Sequence, residues 1–468
     1  MCTADGLDWD EPYASTSGIV VMGEMMGARA VRVLAMGSQI AAKLKDRTAP
    51  SGRGKPLRSV LAYACAAVVS KKRLIAPRRL GRAASAIAAI AAILSVAYAD
   101  GIAVMERPRP DYDAKGIPLG AFRLYPSVVL KLNTSNNVFQ SDSARKGDIN
   151  FEIAPAFELK SQWSQHALEV FGRLDALRFA DHSSENLTDW TVGANGRLDV
   201  RRGSAAFAGI SKSMAHEGRS SPNSPGNIAE PVQYSRFHAQ ASVAVQPNRT
   251  SFFFGGEFDR YSYDATPLNG GGVLSNRDRD RDEWRMRARA SHEIEEGYFA
   301  FAEAEYERRA FDLETDRTGA DRDSHGTALR GGLEFKLSAL LEGEVFVGYR
   351  NRKFGGTLRD YSGVDYGAKL QWSVTQLTTV NVGASRTLNE TTVLASSVSI
   401  DDAFRIGIDH ELRRNVIVQA NLSRIDSEFA REALDARPVE PAGKRVAVVV
   451  QIVVVAVPVR AQRGAAEE

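Results

Sequence analysis

The stretch Trp284-Arg-Met-Arg-Ala-Arg-Ala-Ser-His-Glu-Ile294 decides the fold, because apolar and charged side chains alternate along it. Its even positions carry Trp284, Met286, Ala288, Ala290 and Ile294, and its odd positions carry Arg285, Arg287, Arg289, Ser291 and Glu293. Successive side chains point to opposite sides only in a β-strand. The stretch therefore predicts a strand with one apolar and one charged face, and residues 364–374 predict another.

Units of this kind recur about fifteen times from Phe122 to Phe429, with connections that are alternately short and long. The short connections lie at residues 161–165, 202–204, 246–249, 295–297, 339–341, 375–377 and 413–415. The long ones lie at residues 135–148, 181–186, 216–231, 264–282, 312–326, 353–361 and 389–402. Short turns on one rim and long loops on the other are typical of an antiparallel up-and-down transmembrane β-barrel in the bacterial outer membrane, whose long loops are extracellular.

A soluble sandwich or propeller is the alternative fold. Its apolar faces would have to pack as a core of large side chains. Here several apolar faces are built from small residues, among them Ala300, Ala302 and Ala304. Lipid makes no such demand on packing, so we predict that residues 122–429 form a barrel that faces the membrane.

The visible number of strands is odd, whereas bacterial barrels of this type have even numbers. We therefore expect about 16 to 18 strands in an intact barrel, with eighteen favoured, and we predict that C-terminal strands are lost. In residues 430–468 the alternation stops and a valine-rich run occupies positions 446–459. We interpret this segment as an aberrant tail that follows a frameshift or truncation before about Lys444. An unusual last strand is the alternative.

The N-terminal region predicts export. A basic segment from Lys71 to Arg82 precedes an apolar run at 83–96, and Ala97-Tyr-Ala99 follows directly before Asp100. This order is typical of a signal peptide, here residues 71–99, with cleavage after Ala99. Residues 100–121 would then be a periplasmic N-terminal segment. Residues 1–70 are interpreted as a non-native upstream extension, and a cytoplasmic extension with its own role is the alternative.

The charge distribution argues against nucleic acid as a partner. Residues 1–99 hold 14 basic and 6 acidic side chains, whereas the remainder holds 46 basic and 51 acidic ones. The basic balance of the chain therefore belongs to its leader rather than to the predicted barrel.

The clearest chemical feature is a ladder of opposite charges next to the turn at residues 295–297. A hairpin that pairs Ile294 with Tyr298 also forms three charge pairs on the lumen face. These pairs are Arg289 with Glu303, Arg287 with Glu305, and Arg285 with Glu307. Such a ladder sets ion selectivity in one interpretation, and in the other it satisfies its own charges and holds the strand register.

The segment Arg107-Pro-Arg-Pro-Asp-Tyr-Asp-Ala-Lys-Gly-Ile-Pro-Leu-Gly-Ala-Phe-Arg-Leu-Tyr-Pro126 resembles the opening of an outer-membrane β-barrel porin family of alphaproteobacteria. Gly343-Glu-Val-Phe-Val-Gly-Tyr349 and Asp409-His-Glu-Leu412 add to the resemblance, which covers residues 102–429. Members of this family are sometimes linked to surface-polysaccharide loci. The resemblance also implies about three further strands and an aromatic end, which this chain lacks.

These features predict a porin-like passive channel for small polar solutes in the outer membrane. A non-conducting accessory barrel for surface-polysaccharide export is the alternative. The expected partners are outer-membrane lipid, lipopolysaccharide, the barrel insertion machinery and surface polysaccharide. The sequence lacks the nucleophile, phosphate-loop and metalloprotease motifs, so we expect no catalytic residue, no cofactor and no metal site. The hydrolase alternative would draw on the loop histidines His182, His216 and His325.

Overall fold

The computed structural model describes residues 19–20, 103–109, 113–141, 145–219, 221, 223–337, 340–392, 396–431 and 445–456. These residues belong to one compact unit, and the second unit, Gly23–Tyr98, lies outside them. The predicted signal peptide, its cleavage site at Ala97, Ala99 and Asp100, and the interpreted extension beyond residues 19–20 also lie outside the described residues.

The described unit consists almost entirely of antiparallel strands, sixteen of them long, which we label β1–β16 in chain order. The first eight are β1 Phe122–Ser135, β2 Asp148–Ser161, β3 Ala167–Phe179, β4 Leu187–Arg201, β5 Ser204–His216, β6 Gln233–Val245, β7 Thr250–Tyr263 and β8 Arg281–Glu295. The others are β9 Tyr298–Phe311, β10 Ser324–Leu337, β11 Leu341–Phe354, β12 Tyr361–Thr375, β13 Thr378–Asn389, β14 Ser396–Arg413, β15 Val416–Arg431 and β16 Arg445–Ala456.

Shorter elements complete the described unit. Ile19–Val20 pairs with β16, and Ile117–Leu119 pairs with β1. Thr266–Pro267 and Val273–Leu274 form a small separate sheet, and Ser183–Glu185 and Arg277–Arg279 are single 3-10 turns. No helix in the described parts of the chain is long and apolar enough to cross a bilayer.

Each long strand pairs with its neighbour in sequence, from β1 through to β16. This up-and-down order confirms the predicted all-β barrel class, and the seven predicted short turns and seven long loops separate β1 to β15 as expected. The described residues contain no ladder that joins β1 directly to β16.

The two faces of the sheet reverse the usual rule of a soluble protein. On β1, the apolar side chains of Val128, Leu130 and Leu132 are 56–63% exposed, whereas Lys131 between them is buried and contacts Glu152 at 2.8 Å. The same contrast recurs along the sheet. Apolar residues outside and polar residues inside are what a lipid-embedded barrel with a polar interior requires.

The sixteenth strand lies where the sequence suggested an aberrant tail. Arg445–Ala456 pairs with β15 without a break in register, from Ser427–Arg445 to Val416–Ala456. This segment lacks polar alternation because nearly every position is apolar, so a period-two pattern could not reveal the strand. The described strand number is even and lies at the lower end of the predicted range, below the favoured eighteen. The change of reading frame stays a prediction.

A glycine fixes the hairpin that sets the register of the charge ladder. Gly297 has φ +79°, and a Cβ atom placed on it would lie 2.6 Å from the carbonyl oxygen of Lys336. Any larger residue would both strain the backbone and collide with β10. The turn between β8 and β9 is therefore restricted to glycine at this position.

Candidate functional site: the charged interior

The register predicted for the charge ladder is the register of the structure. Arg285, Arg287 and Arg289 on β8 lie opposite Glu307, Glu305 and Glu303 on β9. The expected pairing of Ile294 with Tyr298 is wrong, because a bulge at Ile294 pairs Glu295 with Tyr298 instead. The bulge lies next to the turn and leaves the ladder itself unchanged.

The ion pairs, however, reach beyond directly opposite residues. Arg289 contacts Glu344 at 2.7 Å and Glu334 at 3.1 Å, but Glu303 only at 3.8 Å. Arg285 lies 2.9 Å from Glu257 on β7. Glu334 and Glu344 lie on β10 and β11, two and three strands away from Arg289, so register with the adjacent strand does not decide which carboxylate an arginine binds.

Arg330 on β10, which lies outside the predicted ladder, is the centre of the network. Its guanidinium lies 2.6 Å from Glu303, 3.0 Å from Glu305 and 2.8 Å from Asp365 on β12. The signal available in sequence was its inward position on β10, directly opposite Glu303. One planar guanidinium thus links three carboxylates from two strands.

Two further arginines on β11 complete the network. Arg350 contacts Glu305 at 3.0 Å, Glu307 at 3.2 Å and Asp365 at 3.3 Å. Arg352, which is 1% exposed, donates from Nε to Glu307 at 3.2 Å. The glutamates of the predicted ladder are therefore held mainly by arginines of β10 and β11, on the side away from β8.

The arginines of β8 and the glutamates of β9 differ in exposure. The Arg287 side chain is 37% exposed, and its contacts to Glu257 and Glu305 are both 3.8 Å long. Glu305 is only 5% exposed. Arg287 is therefore the member of the predicted ladder that is best placed to meet a solute, whereas Glu305 is part of the wall.

Smaller ion pairs line the interior on other strands. Contacts join Arg173 to Asp175 at 2.6 Å, Arg197 to Asp199 at 2.8 Å and Lys336 to Glu334 at 3.0 Å. Glu344 binds Arg289, and Asp409 accepts hydrogen bonds from Asn381 and Gln419. The paired charges are thus spread along the interior wall.

At the long-loop end, loops that start half a sheet apart contact each other. Asn223, in the loop between β5 and β6, donates to the carbonyl oxygen of Glu390 at 3.2 Å. The amide of Thr392 donates back to Asn223 Oδ1 at 2.8 Å. We call the contact of Asn223 with Glu390 and Thr392 the mouth bridge, because it joins loops that leave opposite parts of the strand order.

Buried ion pairs hold the mouth bridge in place. Glu390 contacts Arg281 at 2.7 Å, and Arg279 contacts Glu217 at 2.9 Å. The Arg279 guanidinium also lies 4.1 Å from the centre of the Tyr263 ring, within range of a cation–π interaction. Arg322 donates to the carbonyl oxygen of Thr391 at 2.6 Å.

Two loop carboxylates next to the mouth bridge have lowered pKa values. Burial would raise the pKa of Asp278, but hydrogen bonds and charge from Arg317 outweigh burial and hold that pKa below its usual value. Burial likewise acts against the ionised form of Asp316, yet hydrogen bonds from Thr318, the Ala320 amide and Arg322 lower its pKa. Both groups are therefore ionised at neutral pH.

At the short-turn end, the N-terminal segment lies against the inner side of the wall. Val104 is fully buried, and its amide donates to Thr379 Oγ1 at 2.9 Å. Arg107 and Arg109 contact Glu411 at 3.0 and 3.2 Å. Residues 103–109 therefore occupy space beside β12, β13 and β14 at the short-turn rim.

The histidines considered for hydrolysis lie apart. His182, in the loop between β3 and β4, contacts Asp148 at 2.9 Å, and His216, at the end of β5, contacts Asp189 at 2.5 Å. His325 is exposed on β10, on the outward face. The structure thus does not bring the three together.

A family model described as "Putative beta-barrel porin 2" matches residues 109–462. A search of the curated proteins finds no match. Among solved structures, the siderophore receptor PiuA from Acinetobacter baumannii is similar with 11% identity over 70% of this chain and 62% of that chain, at a TM-score of 0.39.

Two further receptors are similar to the same extent. The siderophore receptor PirA from Pseudomonas aeruginosa shares 12% identity over 72% of this chain and 63% of that one, at a TM-score of 0.38. The siderophore receptor PirA from Acinetobacter baumannii shares 9% identity over 70% and 57%, also at a TM-score of 0.38. The chain spans less than two thirds of the length of each of these receptors.

Proposed function

The chain belongs to the Putative beta-barrel porin 2 family and is an outer-membrane β-barrel, and we propose that it is a passive channel for small polar solutes with a charged lumen. The observation that carries this proposal is the reversal of the two faces. Its strands place apolar residues outward and a network of arginines and carboxylates inward. A polar interior is required for water and polar solutes to pass.

Within this proposal, Arg287 is the residue that a passing solute meets. It is the most exposed arginine of the ladder and has the longest contacts to its carboxylates. Arg330 and Arg350 are each bound at close range by three carboxylates, so their main role is to stabilise the wall. Arg287 would attract anions and repel cations at this depth.

A second candidate function is a non-conducting barrel, an accessory to surface-polysaccharide export. The mouth bridge and the docked segment 103–109 favour it, because each places chain across or inside one end of the barrel. The link to surface polysaccharide, and an origin in alphaproteobacteria, rest on the resemblance of residues 107–126 and remain proposals.

Conductance in planar bilayers tests both candidates. We would record the full-length protein and a variant with Asn223→Ala, which removes the side chain of the mouth bridge, beside Asn351→Ala as a control on the outer face. Stepwise current from the unmodified protein supports the channel. Current that appears only with Asn223→Ala supports a channel closed by the mouth bridge. Absence of current from all three contradicts the channel and favours the accessory barrel.

A further inference from the structure

Three basic residues lie side by side on the outward face, near the long-loop ends of their strands. Arg308 on β9 is directly opposite His325 on β10, and His325 is directly opposite Lys353 on β11. All three side chains are exposed. We call this set the outer basic row.

The outer basic row has no acidic partner within residues 223–337 and 340–392. Three carboxylates lie near the row. Asp282 and Asp312 are both bound by Arg260, at 3.2 and 2.5 Å, and Asp323 accepts a hydrogen bond from the Phe311 amide at 2.7 Å. Arg308 has only a ring contact, 5.9 Å from the centre of the Trp284 ring. Arg308 and Lys353 are both cationic and flank His325 on the same face. Like charges near one another on a sheet repel, so this row favours an anion from outside the protein.

The residues below the outer basic row show at what depth it lies. One step towards the middle of the strands, Thr327 accepts a hydrogen bond from Asn351 at 2.8 Å, beside Tyr306. One further step on, Leu329 is 65% exposed and Tyr349 is 55% exposed. The outward face thus changes from charged to polar to apolar, in the order of a bilayer from headgroup to acyl chain.

We propose that the outer basic row is a binding site for the phosphate groups of a phosphorylated glycolipid in the outer leaflet. Lysine and arginine bind phosphate oxygens through charge-assisted hydrogen bonds, and the acyl chains of the same lipid would cover Leu329 and Tyr349. The outer leaflet is the source to which we commit, because the row lies at the end of the strands that carries the long loops. The site depends on the membrane orientation of the barrel and not on conduction through it.

Lipid A bearing both phosphates is the probe, and its chemically dephosphorylated form is the matched ligand. The full-length protein is folded in detergent micelles, and bound lipid is counted by native mass spectrometry during a titration. The first variant combines Arg308→Gln, His325→Gln and Lys353→Gln. The control combines Arg178→Gln, Lys212→Gln and Arg424→Gln, which removes the same number of basic groups from outward positions on β3, β5 and β15.

We expect the unmodified protein and the control to bind phosphorylated lipid A equally, and the first variant to bind it roughly 30-fold more weakly or worse. We also expect the unmodified protein to bind the dephosphorylated lipid as weakly as the first variant binds the phosphorylated one. Equal binding of the two lipids by the unmodified protein would overturn the proposal, whatever the variants do. Equal weakening in the control would also overturn it, because the effect would then be one of net charge.

Folding of each variant is checked by its heat-dependent electrophoretic mobility. If the first variant fails to fold, the charge-conserving pair Arg308→Lys and Lys353→Arg takes its place and should retain tight binding. The comparison of the two lipids on the unmodified protein tests the need for phosphate independently of any variant, and undiminished binding by a folded first variant would overturn the location of the site. Absence of current in the bilayer experiment would leave this result unaffected.

Discussion

Strands β9, β10 and β11 carry basic side chains on both faces, but the surroundings of those side chains differ between the faces. Inside, Arg330 and Arg350 each contact three carboxylates within 3.3 Å. Outside, Arg308 has no carboxylate partner among the described residues. Arginine thus belongs to a closed network of ion pairs on the inner face, whereas on the outer face it is available to bind an external anion.

This difference shows what replaces an apolar core in the barrel. Glu305, Glu307 and Asp365 are at most 6% exposed, so their charges must be compensated within the wall. The network supplies that compensation and restricts the strand register at the same time. On the outer face, water, headgroups and lipid compensate the charges, so the protein does not have to supply an opposite charge.

The largest expected effect is loss of stability when the network loses its centre. Arg330→Leu leaves Glu303 and Asp365 without their shortest contact, and we expect the free energy of unfolding to fall by about 3 kcal/mol. Urea unfolding in lipid vesicles measures this change. Arg308→Leu, on the other face of the neighbouring strand, should cost at most about 0.5 kcal/mol. If the two variants lost equal amounts of unfolding free energy, the proposed difference between the inner and outer faces would be contradicted.

The second effect is stabilisation of the barrel by bound lipid. With phosphorylated lipid A at about 100 times its dissociation constant, the free energy of unfolding of the unmodified protein should rise by about 2.7 kcal/mol. The variant with Arg308→Gln, His325→Gln and Lys353→Gln should show almost none of this gain at the same lipid concentration. Thermal unfolding in micelles with and without lipid measures both. A full gain in the variant would place the lipid elsewhere.

The third effect is on ion selectivity and not on stability. Arg287→Gln removes the most exposed charge of the ladder, so the reversal potential in a salt gradient should move towards preference for cations. The matched change Arg352→Gln removes a charge that is buried in the wall, and it should move the reversal potential less. If Arg352→Gln has the larger effect, the path of the ions does not follow β8.

The smallest effect concerns pH at the outer mouth. The lowered pKa of Asp316 means that its ionised form stabilises the loop above the usual carboxyl pKa, and this contribution is lost as pH falls through the lowered value. The Thr318 and Ala320 amides, which donate to Asp316, should stay protected from hydrogen exchange between about pH 7 and 5 and lose protection below about pH 4. Asp316→Asn should lack this transition. Loss of protection already near pH 6 would contradict the assignment to Asp316.

The sequence predicted β1 to β15, their turns and the β8–β9 register, because alternation reports directly on the two faces of a strand. It did not reveal β16, whose valines satisfy no alternating pattern. It also did not identify Arg330 as the centre of the network, because alternation shows which face a side chain occupies but not which carboxylate on a more distant strand it reaches. The sequence could not predict the mouth bridge, because Asn223 and Thr392 lie in two loops that are far apart in the chain and have no repeating pattern.

The central claim is that the charged face is the interior and the apolar face meets lipid, and adjacent residues test it most directly. Met286 and Arg287 would each be replaced by cysteine in a chain with Cys2 and Cys65 changed to serine, labelled with a small fluorophore and reconstituted in vesicles that contain brominated lipid. Met286 is 59% exposed, so we predict strong quenching there and little quenching at position 287. Quenching at position 287 equal to or greater than that at position 286 would contradict the account.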